Sequence, residues 1–166
     1  AYTVRYGGNN VTGSDVLHVD SDNPAATIIG DLTHADHIGT HRFDCFILTQ
    51  TLNLIYDVPR AIRTIYRILK PGGVLLGTFP GISQRPSDQW ASEWLWSFTS
   101  LSTRQLFAEV FPDPNLQIAT YGNILATIAF LNGLAAEELS REELNDHDPA
   151  CEMLIAIRAV KPENPR

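Results

Sequence analysis

Hydrophobic and polar residues alternate along this chain in blocks that predict alternating strands and helices. Short apolar runs at 11–16 and 26–30 predict two strands, the first of which could continue to Val19. The run 43–50 is apolar almost throughout, which is typical of a strand buried on both faces of a parallel sheet. Three further strands are predicted at 74–79, 116–121 and 153–160.

The segment 57–69 has the spacing of an amphipathic helix. Asp57 suits the N-cap, and Pro59 lies in the first turn. Pro71 and the two glycines after it predict the end of the helix. Other helices are predicted to begin near 102 and at Ser140, each with the pattern of a capping box, and a buried helix is predicted over 123–132. Strands that alternate with helices predict an α/β sheet with helices on both faces. The apolar face of the helix consists of Ala61, Ile62, Ile65, Ile68 and Leu69, opposite Arg60, Arg63 and Arg67.

Composition bounds the class of protein. The 166 residues are 44% hydrophobic and 19% charged, which fits one globular domain. The net charge is −7 and no Lys/Arg cluster occurs, so we expect no nucleic-acid partner. No apolar run approaches about 18 residues, so we expect no membrane span. Cys45 and Cys151 lie in apolar runs and are predicted to be buried free thiols of a cytoplasmic protein.

Three histidines could be read as a metal site. His34, His37 and His41 are spaced i, i+3 and i+7, which would place them on one face of a helix. Gly39 and Thr40 interrupt that helix, so the composition favours a solvated turn. We therefore expect no metal.

The most specific pattern lies between residues 43 and 80. Phe43-Asp44 is followed, one helix later, by the run Leu69-Lys70-Pro71-Gly72-Gly73-Val74-Leu75-Leu76. This ordered set resembles the second half of a class I S-adenosylmethionine-dependent methyltransferase of the type 11 kind, and the resemblance extends over about 11–161. It implies a Rossmann-like sheet with helices on both faces and S-adenosylmethionine as the cofactor.

The resemblance also implies cofactor contacts at the ends of two strands. An acidic residue after the second strand of such enzymes binds the ribose hydroxyls, and Asp15 is our candidate, with Asp20 as the alternative. Asp31 matches the position whose carboxylate lies near the adenine amino group, and Leu32 the position whose apolar side chain packs on the ring. Asp31 also suits the cap of the turn that follows.

Thr49 and Gln50 end the strand that begins at Phe43. In open α/β sheets the ligand crevice lies at the carboxyl ends of the strands, so these residues should face the methionyl part of the cofactor. The loop that begins at Thr49 does not have the sequence Asn/Asp-Pro-Pro-Tyr. In the resembling family that sequence marks methylation of nucleic-acid base or amide nitrogens. The resemblance thus implies a small-molecule acceptor, with an oxygen or carbon atom that receives the methyl group.

One element of the family pattern is missing. The first strand of such enzymes ends in acidic-x-Gly-x-Gly-x-Gly, whose backbone approaches the cofactor closely, and Gly7-Gly8 does not have this spacing. We therefore expect 1–166 to be a single, N-terminally truncated domain that binds the cofactor weakly or not at all. The missing strand would leave two exposed strand edges, so we expect a homodimer unless Tyr2–Tyr6 fills part of the gap.

The segment 81–100 lies where enzymes of the resembling family have a variable cover over the acceptor site. It contains Trp90, Trp94 and Trp96, which either form an apolar wall for the acceptor or pack the segment onto the sheet. Asp88 and Glu93 could each serve as a base, but the spacing singles out neither, so no catalytic residue is assigned.

Two other functions remain open at this point. The missing glycine loop favours a non-catalytic protein that uses a degenerate methyltransferase fold for binding or assembly. A nicotinamide-dependent oxidoreductase would have a similar sheet, but it needs a Gly-x-Gly-x-x-Gly fingerprint that is equally absent. The turn at 69–73 and the strand–helix–strand ending favour methyl transfer.

Overall fold

The computed structural model describes residues 8–85, 87 and 89–163, without the side chains of Gln89 and Trp90. The predicted strand Tyr2–Tyr6 and the candidate base Asp88 lie outside the described residues. Six strands and four α-helices are described. The strands are β1 (Leu17–His18), β2 (Ile28–Ile29), β3 (Phe43–Thr49), β4 (Leu69–Pro80), β5 (Leu116–Tyr121) and β6 (Leu154–Val160), and the helices are α1 (Val58–Ile68), α2 (Ser100–Ala108), α3 (Ile124–Leu131) and α4 (Arg141–Asn145).

The strands form two sheets. Four of them pair in the order β3-β4-β6-β5, with β3 parallel to β4 and with β6 antiparallel to both of its neighbours. The short strands β1 and β2 pair in parallel as a separate sheet. Leu17 and Ile28 of that sheet pack against the same small cluster of Ala35, Ile38 and Ile68 as Phe43 does. The predicted α/β class is confirmed.

Helix α1 forms as its sequence predicts. The Asp57 side chain accepts a hydrogen bond from the Arg60 backbone N–H at 3.0 Å, which caps the helix. The predicted apolar face is at most 1% exposed, so its burial is confirmed. Arg67 was predicted to face solvent, and this is wrong: its guanidinium donates to the carbonyl oxygens of Ile38 and, at 2.8 Å, Ala35. These bonds attach the connection before β3 to the end of α1.

The glycine turn joins α1 to β4 and to the chain after β6. Gly72 has φ +75°, a conformation that glycine adopts without strain. A Cβ on Gly73 would lie 2.7 Å from the Lys70 carbonyl oxygen, so no other residue fits there without a shift. The Gly72 N–H donates to the Lys161 carbonyl, and the Lys161 N–H donates to the Gly73 carbonyl, both at 2.9 Å. The turn therefore fixes where the last strand leaves the sheet.

The core lies on one face of the larger sheet. Helices α1 and α2 contact each other and the sheet, so both cover the same face. Phe79, Phe107 and Phe111 are at most 1% exposed there, and the first two rings stack with centroids 5.8 Å apart. Fully buried aromatic rings of this size supply much of the packing energy of such a core.

The opposite face of the sheet is open in the described part of the chain. Ile47 on β3 and Leu76 on β4 are 41% and 42% exposed, and a cavity of about 390 Å³ runs across the four strands there. The prediction that β3 is buried on both faces is therefore wrong, because α1 and α2 cover only one side. Cys45 lies on the open side and is exposed, against the prediction, whereas Cys151 is buried as predicted.

Other predicted element boundaries also differ from those of the structure. The strand predicted over 11–16 is wrong: Val11 and Val16 are 41% and 42% exposed, and β1 begins only at Leu17. Helix α2 begins at Ser100 rather than near 102, because Thr99 and Ser102 form the capping box. Among the described residues no helix has the length and apolarity that crossing a membrane requires.

Candidate cofactor site

Four predicted or alternative site residues follow the carboxyl ends of parallel strands. Asp20 follows β1 and Asp31 follows β2, so the two aspartates lie at the same edge of the small sheet. Thr49 ends β3 and Gln50 follows it, at the edge of the larger sheet where β4 also ends. Ligand crevices of α/β proteins lie at such carboxyl-end edges.

Asp15 lies at the opposite, amino end of β1. Its carboxylate accepts a hydrogen bond from the Thr27 hydroxyl at 2.9 Å and pairs with the Arg42 guanidinium at 3.1 Å. Thr27 and Arg42 directly precede β2 and β3, so Asp15 joins the amino ends of three strands. Its ribose role stays a prediction, but this position favours Asp20, because the premise that Asp15 ends a strand is wrong.

Asp20 lies in an exposed turn after β1. One carboxylate oxygen accepts from the Asp22 backbone N–H at 2.9 Å, and the Asp20 N–H donates to the His18 ring Nδ1 at 3.0 Å. These bonds orient the carboxylate while it remains accessible to solvent. The signal for this residue is present in the sequence, because an apolar run through Val19 ends at a cluster of turn-forming residues.

Asp31 caps the turn after β2, as the sequence predicts. Its Oδ1 accepts from the Thr33 backbone N–H at 2.7 Å and from the Thr33 hydroxyl at 2.9 Å, while the side chain stays 51% exposed. His34 Nδ1 lies 2.8 Å from the same hydroxyl. Leu32 is only 6% exposed and belongs to the main core, so the core already covers most of the surface that was predicted to pack on adenine.

Gln50 holds an unusual backbone conformation at the end of β3. Its φ is +48°, in the left-handed region that non-glycine residues seldom adopt. The Gln50 N–H donates to the Thr78 carbonyl at 2.8 Å, and the Thr51 hydroxyl donates to the Thr49 carbonyl at 2.9 Å. These bonds hold the turn, and the Gln50 side chain is exposed at the carboxyl-end edge.

The segment 81–99 between β4 and α2, here called the cover segment, is attached to the loop after β3. The N–H groups of Leu95 and Trp96 donate to the Asn53 carbonyl at 2.8 and 3.2 Å, and the Trp96 indole donates to the Ile55 carbonyl at 2.9 Å. Trp96 is 41% exposed with its ring centroid 6.1 Å from that of Tyr56, so it packs on the loop and also offers an apolar surface.

Asn53 is a residue that the sequence pattern did not single out. It is 1% exposed, and its Oδ1 has no hydrogen-bond partner among the described residues. A lone Asn in an apolar loop carries no signal of burial in the sequence. Its place beneath the cover segment makes it part of the support of the site.

The donor set suits an organic ligand better than a metal ion. In the described part of the chain, no group of three or more His, Cys, Asp or Glu side chains is placed to hold a metal. Carboxylates accept from hydroxyl and amino groups and complement a positive charge. Asp20 and Asp31 therefore fit the ribose hydroxyls, the adenine amino group and the sulfonium of S-adenosylmethionine.

Comparison with known proteins supports this interpretation of the fold. Residues 2–77 match the family model described as a methyltransferase domain. No curated protein sequence matches the chain.

Three solved structures illustrate the likeness in fold. A methyltransferase from Mesorhizobium loti is 18% identical, with a TM-score of 0.55 over 87% of this chain and 78% of that one. A possible histamine N-methyltransferase from Thermotoga maritima is 16% identical (TM-score 0.55, 82% and 65% covered). Phosphoethanolamine N-methyltransferase 2 from Haemonchus contortus, complexed with phosphomonomethylethanolamine and S-adenosylhomocysteine, is 16% identical (TM-score 0.52, 81% and 37% covered).

The lengths of these proteins limit what the likeness covers. The chain spans 37% of the Haemonchus contortus protein and 65% of the Thermotoga maritima protein. At these identities the likeness shows the fold, and the family model adds a match in sequence over the first part of the chain. The chain thus has the Rossmann-like fold of the class I S-adenosylmethionine-dependent methyltransferases and resembles their methyltransferase domain in sequence over residues 2–77.

Proposed function

We propose that this chain carries out S-adenosylmethionine-dependent methyl transfer to a small-molecule acceptor. The observation that carries the proposal is the pair of exposed carboxylates, Asp20 and Asp31, which follow neighbouring parallel strands at one edge of the small sheet. A carboxylate after one strand can accept from vicinal hydroxyls, and one after the next strand can accept from an amino group. A nucleoside presents both sets of donors.

The residues of this chain would bind and orient the cofactor rather than react with it. Asp20 would hold the ribose, Asp31 the adenine amino group, and Gln50 with Thr49 the methionyl end. When bound, the cofactor supplies an electrophilic methyl group on a sulfonium. Displacement at such a methyl group depends largely on the proximity and alignment of the acceptor. No base is assigned, because Glu93 is exposed on the cover segment and no hydrogen bond or ion pair to another described residue marks it.

The cover segment supports a small acceptor. Its backbone is bonded to Asn53, and its exposed Trp96 offers an apolar surface beside the loop after β3. Two of the structural neighbours are named for small amine substrates. The oxygen or carbon acceptor expected from the loop sequence stays a prediction, so an acceptor screen should include small amines, alcohols and carbon acids.

Calorimetric titration with S-adenosylhomocysteine tests the cofactor half of the proposal. We expect weak but saturable binding by the wild-type chain, because the glycine-rich pattern is missing from the sequence. Asp20→Ala should lose at least tenfold in affinity, because a hydrogen bond to a charged group contributes about 1.5–3 kcal/mol. Asp15→Ala is the matched control: it should lower the melting temperature, since it loses the bonds to Thr27 and Arg42, and leave the affinity within about twofold.

The possible outcomes separate the alternatives. A folded wild-type chain without measurable binding would overturn the proposal and favour the non-catalytic protein. A loss of affinity in Asp15→Ala but not in Asp20→Ala would assign the ribose to Asp15. Binding of a nicotinamide dinucleotide instead would favour the oxidoreductase.

A further inference from the structure

Helix α3 has its small residues inside and its large residues outside. Ala126, Thr127 and Ala129 face the protein and are 8%, 5% and 6% exposed. The Thr127 hydroxyl lies 2.9 Å from the Cys151 thiol, which fixes this inner side. The sequence predicts a buried helix here, and this is wrong for the outer half. An amphipathic surface helix normally shows the reverse arrangement, with large apolar residues inside and polar residues outside.

The outer side of α3 continues into its flanking residues as one apolar surface, here called the α3 face. No Asp, Glu, Lys, Arg or His occurs between residues 114 and 136. A helix that is apolar all round is normally covered on all sides. The α3 face consists of Ile124, Leu125, Ile128, Leu131 and Leu134, which are 36–59% exposed. Phe130 lies between Ala126 and Thr127 around the helix, and Tyr121 lines the cavity on the open face of the larger sheet, so neither belongs to the α3 face.

The area of the α3 face reaches the lower bound for a biological interface. At roughly 200 Å² for a fully exposed large apolar residue, the five residues present on the order of 500 Å² at the exposures above. A biological interface should bury at least about 1,000 Å² in total, or about 500 Å² on each partner. Apolar patches of about 300–600 Å² are the largest on a typical monomer and are often functional.

We propose that the α3 face is the interface of a homodimer, in which α3 packs against α3 of a second copy about a two-fold axis. Each chain carries a net charge of −7, so two copies repel each other least when the surfaces in contact carry no charge. The α3 face is such a surface. Ile124, Ile128 and Leu131 are spaced i, i+4 and i+7, the spacing of a helix–helix seam, and a two-fold axis pairs one patch with itself.

The open face of the larger sheet is the competing surface. It offers Ile47 and Leu76, but Arg158 lines the same cavity and is exposed, so it would bring like charges together across a two-fold axis. The α3 face has no such charge. The dimer does not depend on the proposed methyl transfer, because no cofactor residue lies on the α3 face.

Light scattering coupled to gel filtration tests the interface. We expect the wild-type chain to have the mass of a dimer at high micromolar concentration, and Ile128→Glu to have the mass of a monomer with an unchanged circular dichroism spectrum. Ile128 is 52% exposed, so the Glu carboxylate reaches solvent in the monomer. Ile47→Glu, on the open face of the sheet, is the matched control and should remain a dimer. A monomeric wild-type chain, or a dimer that only Ile47→Glu dissociates, overturns the proposal.

Cysteine cross-linking gives a second readout that does not require a destabilised interface. In a Cys45→Ser background, Ile128→Cys should form an intermolecular disulfide on mild oxidation, because residues near a two-fold axis meet their own copies. Leu101→Cys, on the exposed side of α2 and 63% exposed in the wild type, is the control and should remain monomeric. Equal cross-linking of both variants, or none of Ile128→Cys, contradicts an α3–α3 contact.

Discussion

Replacing Gln50 by glycine should stabilise the chain and weaken cofactor binding. Gln50 has φ +48°, where a side chain other than glycine costs roughly 1–2 kcal/mol. Glycine removes that cost, but it raises the conformational entropy of the unfolded chain, which lowers the free energy of unfolding by about 0.5–1 kcal/mol. The net gain in the free energy of unfolding is about 0.75 kcal/mol, within a range of roughly 0–1.5 kcal/mol. For a domain of this size, 1 kcal/mol raises the melting temperature by about 2–4 °C.

His41 provides the matched control. Its φ is +53°, it is exposed like Gln50, and it lies before β3 rather than after it. His41→Gly should therefore give a similar rise in melting temperature. Because the amino end of β3 is remote from the predicted crevice, His41→Gly should leave the affinity for S-adenosylhomocysteine unchanged. Only Gln50→Gly should lower that affinity, through the loss of its carboxamide.

Thermal unfolding followed by circular dichroism, together with calorimetric titration of S-adenosylhomocysteine, measures both quantities. A fall in the melting temperature of Gln50→Gly would show that the side chain stabilises the fold by more than its backbone strain costs. Equal affinities in the two variants would remove Gln50 from the cofactor site. Either result would refute the reasoning that strain is retained at this position because the site uses it.

Three further predictions concern the stability of the fold and its thiol. Gly81→Ala should lower the free energy of unfolding by about 2–4 kcal/mol in a urea titration, because its Cβ would lie 1.9 Å from the Glu152 carbonyl oxygen. Gly39→Ala is the control and should have little effect, because no atom lies within 4 Å of the Cβ position. Burial lowers the pKa of the Lys161 ammonium, so in the alkaline range the unfolded chain binds more protons than the folded chain. The free energy of unfolding should therefore rise with pH in that range, and Lys161→Met should abolish this rise. Although Cys45 is exposed on the open face, its partial desolvation there, and secondarily the adjacent Asp44 carboxylate, raises the pKa of its thiol. Iodoacetamide should therefore modify it more slowly than a free thiol at pH 8, and equal rates would contradict that shift.

Elements with a strong local pattern were predictable from the sequence. The N-cap and apolar stripe of α1 and the limits of β5 follow from residues within one turn or one strand. The capping of α4 by Ser140 was also predicted and is confirmed. In these elements each residue's environment is set by its near neighbours, so the sequence contains the necessary information.

The candidate site was only partly predictable. Asp31 follows β2 and caps the turn there, as the sequence predicts, and its contact with adenine stays a prediction. Asp15 was chosen because the strand before it was placed too early, and its bonds to Thr27 and Arg42 join segments that are 12 and 27 residues away. Asn53 was not foreseen, since its burial depends on the cover segment that folds over it.

Sequence by itself determined the α/β class, the βαβ unit around the glycine turn and the likeness to methyltransferases, because periodicity, caps and turns are local properties of the chain. Only the tertiary structure decided which faces are covered. The large residues of α3 and of the open sheet face look like core residues in the sequence. A hydrophobic side chain is stabilised by burial against any apolar surface, so its identity does not specify which element covers it. Whether a side chain is buried depends on which elements pack against it, and in the described chain α1 and α2 cover one side of the sheet and only the small residues of α3 face inward.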